Sequence, residues 1–228
     1  MDFNQSRGNY RETIERSISF AGKGLDFFTE VKAEYARKVL KRLLPEVTQP
    51  RTLDIGCGHG IMHPYLRAFG FEIIGVEVAT EVLPLARAAN PDVSYVGYDG
   101  QSLPFASKSF DLALAVCVMH HVPPTHWRNF LGEMRRVLRP RGVAVIFEHN
   151  PLNPLTRYVV ATLAMDADAN LLSARMLREL MRQAGFEAPR TRNILFTPFA
   201  HPRFRWLDER LARLPFGAQY YAIGVSNS

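Results

Sequence analysis

The chain has 228 residues, 47% of them hydrophobic, and a formal net charge of +6. This length suits one domain with a sizeable core, and no apolar stretch approaches the ~20 residues that span a bilayer. The polar residues 1–5 lack the pattern of a secretory signal, and two cysteines argue against a disulfide framework. We therefore expect a cytoplasmic protein with a single domain over 1–228.

The charge surplus lies in the C-terminal part of the chain. Residues 1–127 contain 13 Lys or Arg against 14 Asp or Glu, whereas residues 128–228 contain 15 against 8, and all 15 are arginine. Arginine matches phosphate geometry, so a nucleic-acid partner has to be considered. The arginines fall on predicted helices as solvated faces, without a basic tail or repeat, which favours a surface role over a nucleic-acid partner.

The N-terminal region, 1–45, contains the first predicted helix. It begins near Leu25 and places Val31, Tyr35, Val39 and Leu43 on one stripe, which predicts packing against the core. The preceding residues, 10–24, are irregular and aromatic, and we expect them to fold over a ligand as a cap.

A glycine-rich turn follows the first predicted strand. Gly56, Gly58 and Gly60 alternate after Asp54 and a short apolar run. Glycine at every second position lets the backbone take positive φ and lie against a ligand. Residues 59–69 are predicted to form the next helix. This strand, turn and helix unit predicts a binding site.

The spacing separates two ligand classes. A dinucleotide fingerprint needs its third glycine five positions after the first, and that position is Ile61. An acid two residues before the first glycine repels phosphate and suits a ligand with an amino group. A nicotinamide oxidoreductase is therefore the weaker alternative.

Ordered motifs over 53–148 resemble one family. The run from Asp54 to Gly60 is similar to the D/E-x-G-x-G-x-G motif of class I S-adenosylmethionine-dependent methyltransferases, in particular those of ubiquinone and menaquinone biosynthesis. Residues 103–105 and 109–113 resemble the family's L-P-F and S-F-D-L-V signatures, and residues 136–142 resemble R-x-L-K-P-G-G. Arg141 departs from this pattern because a second glycine is more usual there.

The resemblance implies a site for S-adenosylmethionine. Glu77, 21 residues after the first glycine, is placed to accept the ribose hydroxyls. Val78 is expected against the adenine ring and Asp99 at its amino group. The complete predicted cofactor set is Asp54, Gly56, Cys57, Gly58, Gly60, Glu77, Val78, Asp99, Gly100 and Cys117.

The implied fold is α/β: a doubly wound, Rossmann-like sheet of seven strands, mostly parallel with an antiparallel last strand, and helices on both faces. Residues 50–149 form the cofactor-binding core, and 150–228 supply a lid and the C-terminal helices and strands. Two Asn-Pro steps after strand five predict a stiff, extended turn, and the segment to 170 is a candidate lid. Beyond it we expect helices over 173–184 and 204–214 and strands over 190–197 and 218–225.

Three histidines are candidates for chemistry. His120, His121 and His149 fall at the ends of strands four and five, and a histidine suits a general base when the acceptor is a hydroxyl. We expect a small-molecule acceptor methylated on oxygen, with His149 as the first candidate. The alternative for His120 and His121 is a structural turn beside the cofactor.

No metal is expected. His120, His121 and His126 resemble a zinc set, but consecutive histidines are expected to point apart and no cysteine pair supports them. Two alternatives to the small-molecule enzyme remain: a methyltransferase for RNA or another macromolecule, and a non-catalytic subunit that binds S-adenosylmethionine. The identity of the acceptor and the oligomeric state are left open.

Overall fold

The computed structural model describes residue 15 and residues 24–163, 166–197 and 202–227, with backbone alone for 202–205. The expected cap over 10–24 lies outside the described residues except at positions 15 and 24. The helices are α1 (Leu25–Leu43), α2 (His63–Ala68), α3 (Leu83–Ala89), α4 (Trp127–Val137), α5 (Pro154–Thr162), α6 (Ala174–Gln183) and α7 (Pro202–Leu211). The strands are β1 (Arg51–Ile55), β2 (Glu72–Glu77), β3 (Ser94–Gly97), β4 (Phe110–Val116), β5 (Leu138–His149), β6 (Phe186–Ile194) and β7 (Gln219–Ser226).

The strands form one seven-stranded sheet in the order β3-β2-β1-β4-β5-β7-β6. The pairs from β3 to β5 are parallel, and β7 is inserted antiparallel between β5 and β6. The strand order reverses between β1 and β4, which is where ligands bind in doubly wound sheets. The predicted fold class is confirmed, including the reversed last strand.

The core consists of two layers, one on each face of the sheet. Leu112 and Leu114 of β4 pack with residues of α1, α2 and α3, whereas Ala113 and Ala115 face α4 and α6. This alternation follows from the two-residue period of a strand. Both faces of β4 are therefore buried, and only the strand ends are available for a site.

The stripe predicted on α1 is confirmed as core packing. Val31 and Val39 are buried, and Tyr35 and Leu43 pack against the same cluster. Lys32, on the same helix, is also buried. Among the described helices, none is both long and apolar enough to cross a membrane.

The segment after β5 is helical, not extended. The second Asn-Pro step begins α5: the Asn153 side chain accepts the N–H of Thr156 at 3.0 Å, and Pro154 is the first helical residue. The Asn150 amide donates to the carbonyls of Pro215 and Gly217, both at 2.8 Å. These bonds tie the start of the expected lid to the loop before β7, and its role as a lid stays a prediction.

Two boundaries differ from the predicted ones for local reasons. The helix after the glycine turn begins at His63 because the turn continues to Met62. Strand β6 begins at Phe186, four residues early, because a bulge carries the chain past Pro189. A proline is tolerated at a bulge of an edge strand, whereas in the sequence it suggests a strand break.

Arg141 takes the backbone conformation that glycine favours. Its φ is 65°, and the following Gly142 cannot carry a side chain because a Cβ there would lie 2.9 Å from the Arg139 carbonyl oxygen. A left-handed conformation is costly for a residue with a Cβ. The unusual residue at this position therefore stores backbone strain.

Arg141→Gly should raise the free energy of unfolding by about 0.5–1 kcal/mol, because relief of strain exceeds the entropy gained by the unfolded chain. Urea denaturation measures the change. Arg141→Ala is the matched control, since it removes the charge and keeps the Cβ, and should change stability little. A glycine variant less stable than the alanine variant would contradict the interpretation.

Candidate active site

The alternating glycines form a left-handed turn between β1 and α2. Gly56, Gly58 and Gly60 have φ values of 72°, 51° and 68°. A Cβ on Gly56 would lie 2.7 Å from Val118 Cγ2, and one on Gly60 would collide with the Tyr95 hydroxyl. A Cβ on Gly58 would meet no described atom within 4 Å. The open side of Gly58 is therefore where a ligand can lie against the backbone.

Glu77 ends β2 and binds the glycine turn through its carboxylate. Oε2 accepts the N–H of Gly58 at 2.9 Å, and Oε1 accepts those of Val78 and Ala79 at 2.8 and 3.0 Å. Burial outweighs these bonds and leaves the pKa of Glu77 above its usual value. A carboxylate has about four lone-pair positions, so one remains for a hydroxyl. The side chain lies where a ribose contact is predicted but has room for one more donor, not two.

The predicted adenine contacts adjoin each other at the ends of β2 and β3. Val78 is half exposed, and a Cβ on Gly100 would lie 3.3 Å from its Cγ1. The exposed Asp99 accepts the N–H groups of Ser102 and Gln101, both at 2.8 Å, and these bonds hold the pKa of Asp99 below its usual value. A small cavity adjoins this loop, and its lining includes Ile55, Tyr98, Gly100 and Leu103.

Asp54 and Cys57 support the turn from inside the protein. Asp54 Oδ2 is 3.0 Å from His63 Nε2, and His63 Nδ1 is 2.6 Å from the Tyr95 hydroxyl, which ties β1 to α2 and β3. Cys57 Sγ faces Gly75, where a Cβ would come within 2.7 Å of the sulfur. Burial, assisted by nearby carboxylates, raises the pKa of Cys57, so the group remains a thiol. Direct contacts of Asp54 and Cys57 with a ligand stay predictions.

A second polar group lies at the ends of β4 and β5. The His120 ring centroid is 4.1 Å from that of His121 and 5.1 Å from that of His149. The Nε2 atoms of His120 and His121 both face Asp166, so the expectation that these consecutive side chains point apart is wrong. His126 is exposed on the next turn. We call this group the histidine cluster: His120, His121, Glu148, His149 and Asp166.

Glu148 connects the cluster to the backbone. Its Oε1 accepts the N–H groups of Val118 and Met119 at 3.1 and 2.7 Å, and its Oε2 is 2.6 Å from His120 Nδ1. Burial disfavours the His120 imidazolium, but Glu148 and Asp166 outweigh it and raise the pKa of His120 to about 10. Burial also opposes the Glu148 charge, yet His120 brings the pKa of Glu148 below its usual value.

The two other histidines are neutral at pH 7. Burial and then the positive charge of His120 lower the pKa of His121 and of His149 to about 4 each. Burial opposes the charge of Asp166, but His120 outweighs burial and holds the pKa of Asp166 below its usual value. The cluster thus combines two carboxylates and the His120 imidazolium with two imidazoles that can donate or accept at neutral pH.

Strand β7 contributes to the site through Gln219. It pairs with His149 across the antiparallel ladder, and its amide nitrogen lies 3.4 Å from His149 Nδ1 and 3.6 Å from Cys117 Sγ. Cys117 has a φ of 56°, uncommon for a residue with a side chain, and its N–H donates to the Phe147 carbonyl at 2.8 Å. Burial raises the pKa of Cys117. Cys117 therefore marks the point where the chain leaves the sheet toward the histidines.

Comparisons with known proteins agree with this architecture. A family model described as a methyltransferase domain matches residues 53–146. The chain is 33% identical over 171 residues to an uncharacterized methyltransferase of Mycobacterium sp. (strain KMS), covering 68% of this chain and 67% of that one. The chain belongs to the class I S-adenosylmethionine-dependent methyltransferases.

Two further proteins are similar to this chain, one over a smaller share of its own length and the other at lower sequence identity. The chain is 29% identical over 149 residues to the phthiotriol/phenolphthiotriol dimycocerosates methyltransferase of Mycobacterium tuberculosis (strain H37Rv), and the match covers 64% of this chain but only 54% of that protein. It also resembles the crystal structure of an S-adenosylmethionine-dependent methyltransferase of Thermotoga maritima, described as a possible histamine N-methyltransferase. That match has a TM-score of 0.70 and 24% identity over 99% of this chain and 98% of the other. An identity this low shows the fold alone.

The residues at the glycine turn fit the methyl donor of this methyltransferase family. The backbone at Gly58 is open on one side, an acid ends β2 beside it, and Val78 and Asp99 lie further along the same edge. The role of each residue toward the donor stays a prediction. Tyr95, which reaches Asp54 through the buried His63, was missed because no local pattern links it to the glycine turn.

Other functional candidates were also missed in the sequence. Glu148 was seen only as the end of a strand, and Asp166 lies in the segment interpreted as a lid. Gln219 becomes a neighbour of His149 only because β7 is inserted beside β5. Lys32 is buried on α1 and acts electrostatically on His149. Glu148 is the sequence neighbour of His149 but engages His120, and the other three positions have no spacing signal relative to the histidines.

Glu77→Ala should lower the affinity for S-adenosylhomocysteine by about ten- to a hundredfold, since a hydrogen bond to a charged group contributes about 1.5–3 kcal/mol. It should also destabilise the fold, because three backbone N–H groups lose their acceptor. Isothermal titration and thermal unfolding measure the two effects.

Glu72→Ala is the control for Glu77→Ala. Glu72 begins the same strand and is exposed, with Arg51 Nε 3.8 Å from its carboxylate. Glu72→Ala should leave the affinity for S-adenosylhomocysteine and the thermal stability nearly unchanged. A folded Glu77→Ala protein with undiminished affinity would show that another residue holds the ribose.

Proposed function

We propose that this chain transfers the methyl group of S-adenosylmethionine to a small-molecule acceptor. The observation that carries the proposal is that two polar groups share one edge of the sheet. The glycine turn and Glu77 lie at the ends of β1 and β2, and the histidine cluster lies at the ends of β4 and β5. Val118 connects them because its side chain packs against Gly56. The strand order reverses between these two groups, where ligands of such sheets bind.

The residues of the chain act mainly by positioning. S-adenosylmethionine, when bound, supplies an already activated methyl group on its sulfonium. The open backbone at Gly58 receives the donor, Glu77 accepts a ribose hydroxyl, and Asp99 accepts the adenine amino group. Holding two reactants in line contributes most of the rate in a reaction of this type.

We assign the acceptor atom to oxygen and the proton of its hydroxyl to His149. The ring lies at the end of β5, partly exposed, beside His120. The amide nitrogen of Gln219 faces Nδ1 at 3.4 Å, whereas its amide oxygen is buried without a hydrogen-bond partner among the described residues. The flipped amide would let that oxygen accept the Nδ1 proton and would leave Nε2 to accept a proton from the acceptor. His120 is less suited to this role because its Nδ1 is engaged by Glu148 and its side chain is almost completely buried.

Two observations favour a small-molecule acceptor over a macromolecular one. The Mycobacterium tuberculosis relative is named for phthiotriol and phenolphthiotriol dimycocerosates, which favours an acceptor of this class over a macromolecule. Several C-terminal arginines are also engaged within the protein: Arg139 pairs with Asp111 at 2.8 Å, and Arg136 with Glu133 at 2.6 Å. A non-catalytic subunit is distinguished by the absence of turnover in the isolated chain.

The isolated chain should bind S-adenosylhomocysteine and not NADH in calorimetric titrations. Gly58→Ala should weaken the binding at least tenfold, because a methyl group would fill the open side of the turn. Gly70→Ala is the matched control: Gly70 also has a positive φ, 86°, and a Cβ there would make an ordinary contact of 3.5 Å with the Thr48 carbonyl oxygen, but it lies before the start of β2, at the opposite end of that strand from Glu77. Tight NADH binding without S-adenosylhomocysteine binding would overturn the proposal.

His149→Ala should lower kcat on a hydroxyl acceptor by about 10²-fold and leave the affinity for S-adenosylhomocysteine nearly intact, because the base acts on the acceptor alone. Transfer of a labelled methyl group to a panel of phenols and alcohols measures the rate. His126→Ala, an exposed histidine outside the cluster, is the control. A decrease in kcat for His121→Ala but not for His149→Ala would identify His121, in the turn after β4, as the base. If neither slows an oxygen acceptor, the assignment of a histidine base is wrong.

A further inference from the structure

His120, His121 and Asp166 surround one point inside the histidine cluster. Asp166 Oδ1 lies 3.6 Å from His120 Nε2 and 3.5 Å from His121 Nε2, and one ligand atom from each residue lies within 4.8 Å of the others. His120 and Asp166 are almost completely buried, and His121 is one-fifth exposed. Among the three side chains, that of His121 is therefore the most accessible to solvent.

The spacing of these atoms suits an ion between them. A charge-assisted N–H···O bond is about 2.7–2.9 Å long, shorter than either separation. Zinc bonds to nitrogen and oxygen are about 2.0–2.1 Å, which places tetrahedral ligand atoms about 3.4 Å apart. The two separations lie close to that ligand spacing.

The Glu148 carboxylate, which contacts the second ring nitrogen of His120, also favours a metal site. Metal-binding histidines usually donate their second ring N–H to a carboxylate, which fixes the ring and its tautomer. Here His120 Nδ1 is 2.6 Å from Glu148 Oε2, and Glu148 is itself fixed by the N–H groups of Val118 and Met119. Binding of a metal ion would displace the proton from His120 Nε2 and leave the one on Nδ1, so that the Nε2 lone pair points toward the ion beside Asp166.

The third ligand is also held in place by the backbone. The N–H of Asp166 donates to the Leu163 carbonyl at 3.0 Å, and the N–H of Asn170 donates to the His120 carbonyl at 2.7 Å. The first bond closes a turn directly after α5, and the second fastens this segment onto the histidine turn. Both sides of the site are therefore built before any ion enters.

We propose that His120 Nε2, His121 Nε2 and an Asp166 oxygen bind a divalent transition metal ion, with zinc the best match. Two imidazoles and one carboxylate with open positions are a ligand set of zinc enzymes and of non-haem iron(II) sites. Glu148 and Asp166 carry two buried negative charges, which a divalent ion neutralises. The remaining positions are left to water or to the acceptor oxygen. That last consequence rests on the proposed function, whereas binding of the ion does not.

The test is metal binding by the full chain after treatment with EDTA. Titration with ZnCl₂ should give one ion per chain, and CoCl₂ should give the visible absorption of a four-coordinate site. Asp166→Asn and His121→Ala should each weaken binding at least a hundredfold. Glu148→Gln should weaken it about ten- to a hundredfold, because it disturbs the ring orientation only.

His126→Ala is the control and should bind zinc like the unmodified chain. Retained S-adenosylhomocysteine binding shows that each variant is folded. If His121→Ala does not fold, zinc binding by Asp166→Asn is the test of the metal site. Absence of stoichiometric zinc binding, or equal zinc binding by Asp166→Asn, would overturn the proposal. A protonated His120 would then supply the positive charge between the carboxylates of Glu148 and Asp166. Zinc binding by a chain that does not bind S-adenosylhomocysteine would instead overturn the proposed function.

Discussion

Buried carboxylates that accept backbone N–H groups fix the carboxyl edge of the sheet. Glu77 at the end of β2 binds the turn after β1, and Glu148 at the end of β5 binds the turn after β4. In each case the acid reaches sideways from a strand to the loop of its neighbour in the sheet. Hydrogen bonds to a charged group are the stronger class. They help to hold backbone conformations that would otherwise be unfavourable, including the positive φ of Cys117.

The carboxylates of Glu77 and Glu148 have different surroundings, so the site consists of two halves with different electrostatic properties. Burial leaves the pKa of Glu77 above its usual value, whereas the imidazolium of His120 leaves the pKa of Glu148 below it. The half around Glu77 also contains Asp54 and Asp99, so it is acidic and suits a donor with a sulfonium and an amino group. The half around Glu148 places histidines and carboxylates together, which suits binding an ion or moving a proton.

The glycine turn of the first half could be recognised in the sequence because backbone conformation determines it. Positive φ at three alternating positions requires glycine, so the requirement is visible in the residue types themselves. The fold class, a mostly parallel sheet of seven strands with an antiparallel last strand, followed from the family resemblance that the ordered motifs carry and is confirmed. The start of α5 was also readable, since Asn153 before Pro154 is a helix N-cap followed by a favoured first residue. It was instead interpreted as an extended turn because two Asn-Pro steps came close together.

The second half depends on contacts between distant segments. Asp166 reaches His120 only because the chain beyond α5 returns to the turn after β4, and Gln219 reaches His149 only through the inserted strand. Even neighbours in sequence were misjudged: His120 and His121 converge because the short helical turn Met119–His121 directs both rings toward the same carboxylate. In an extended strand they would have faced opposite sides. The histidine cluster of this methyltransferase is thus determined by the turns that end its strands, where local patterns carry the least information.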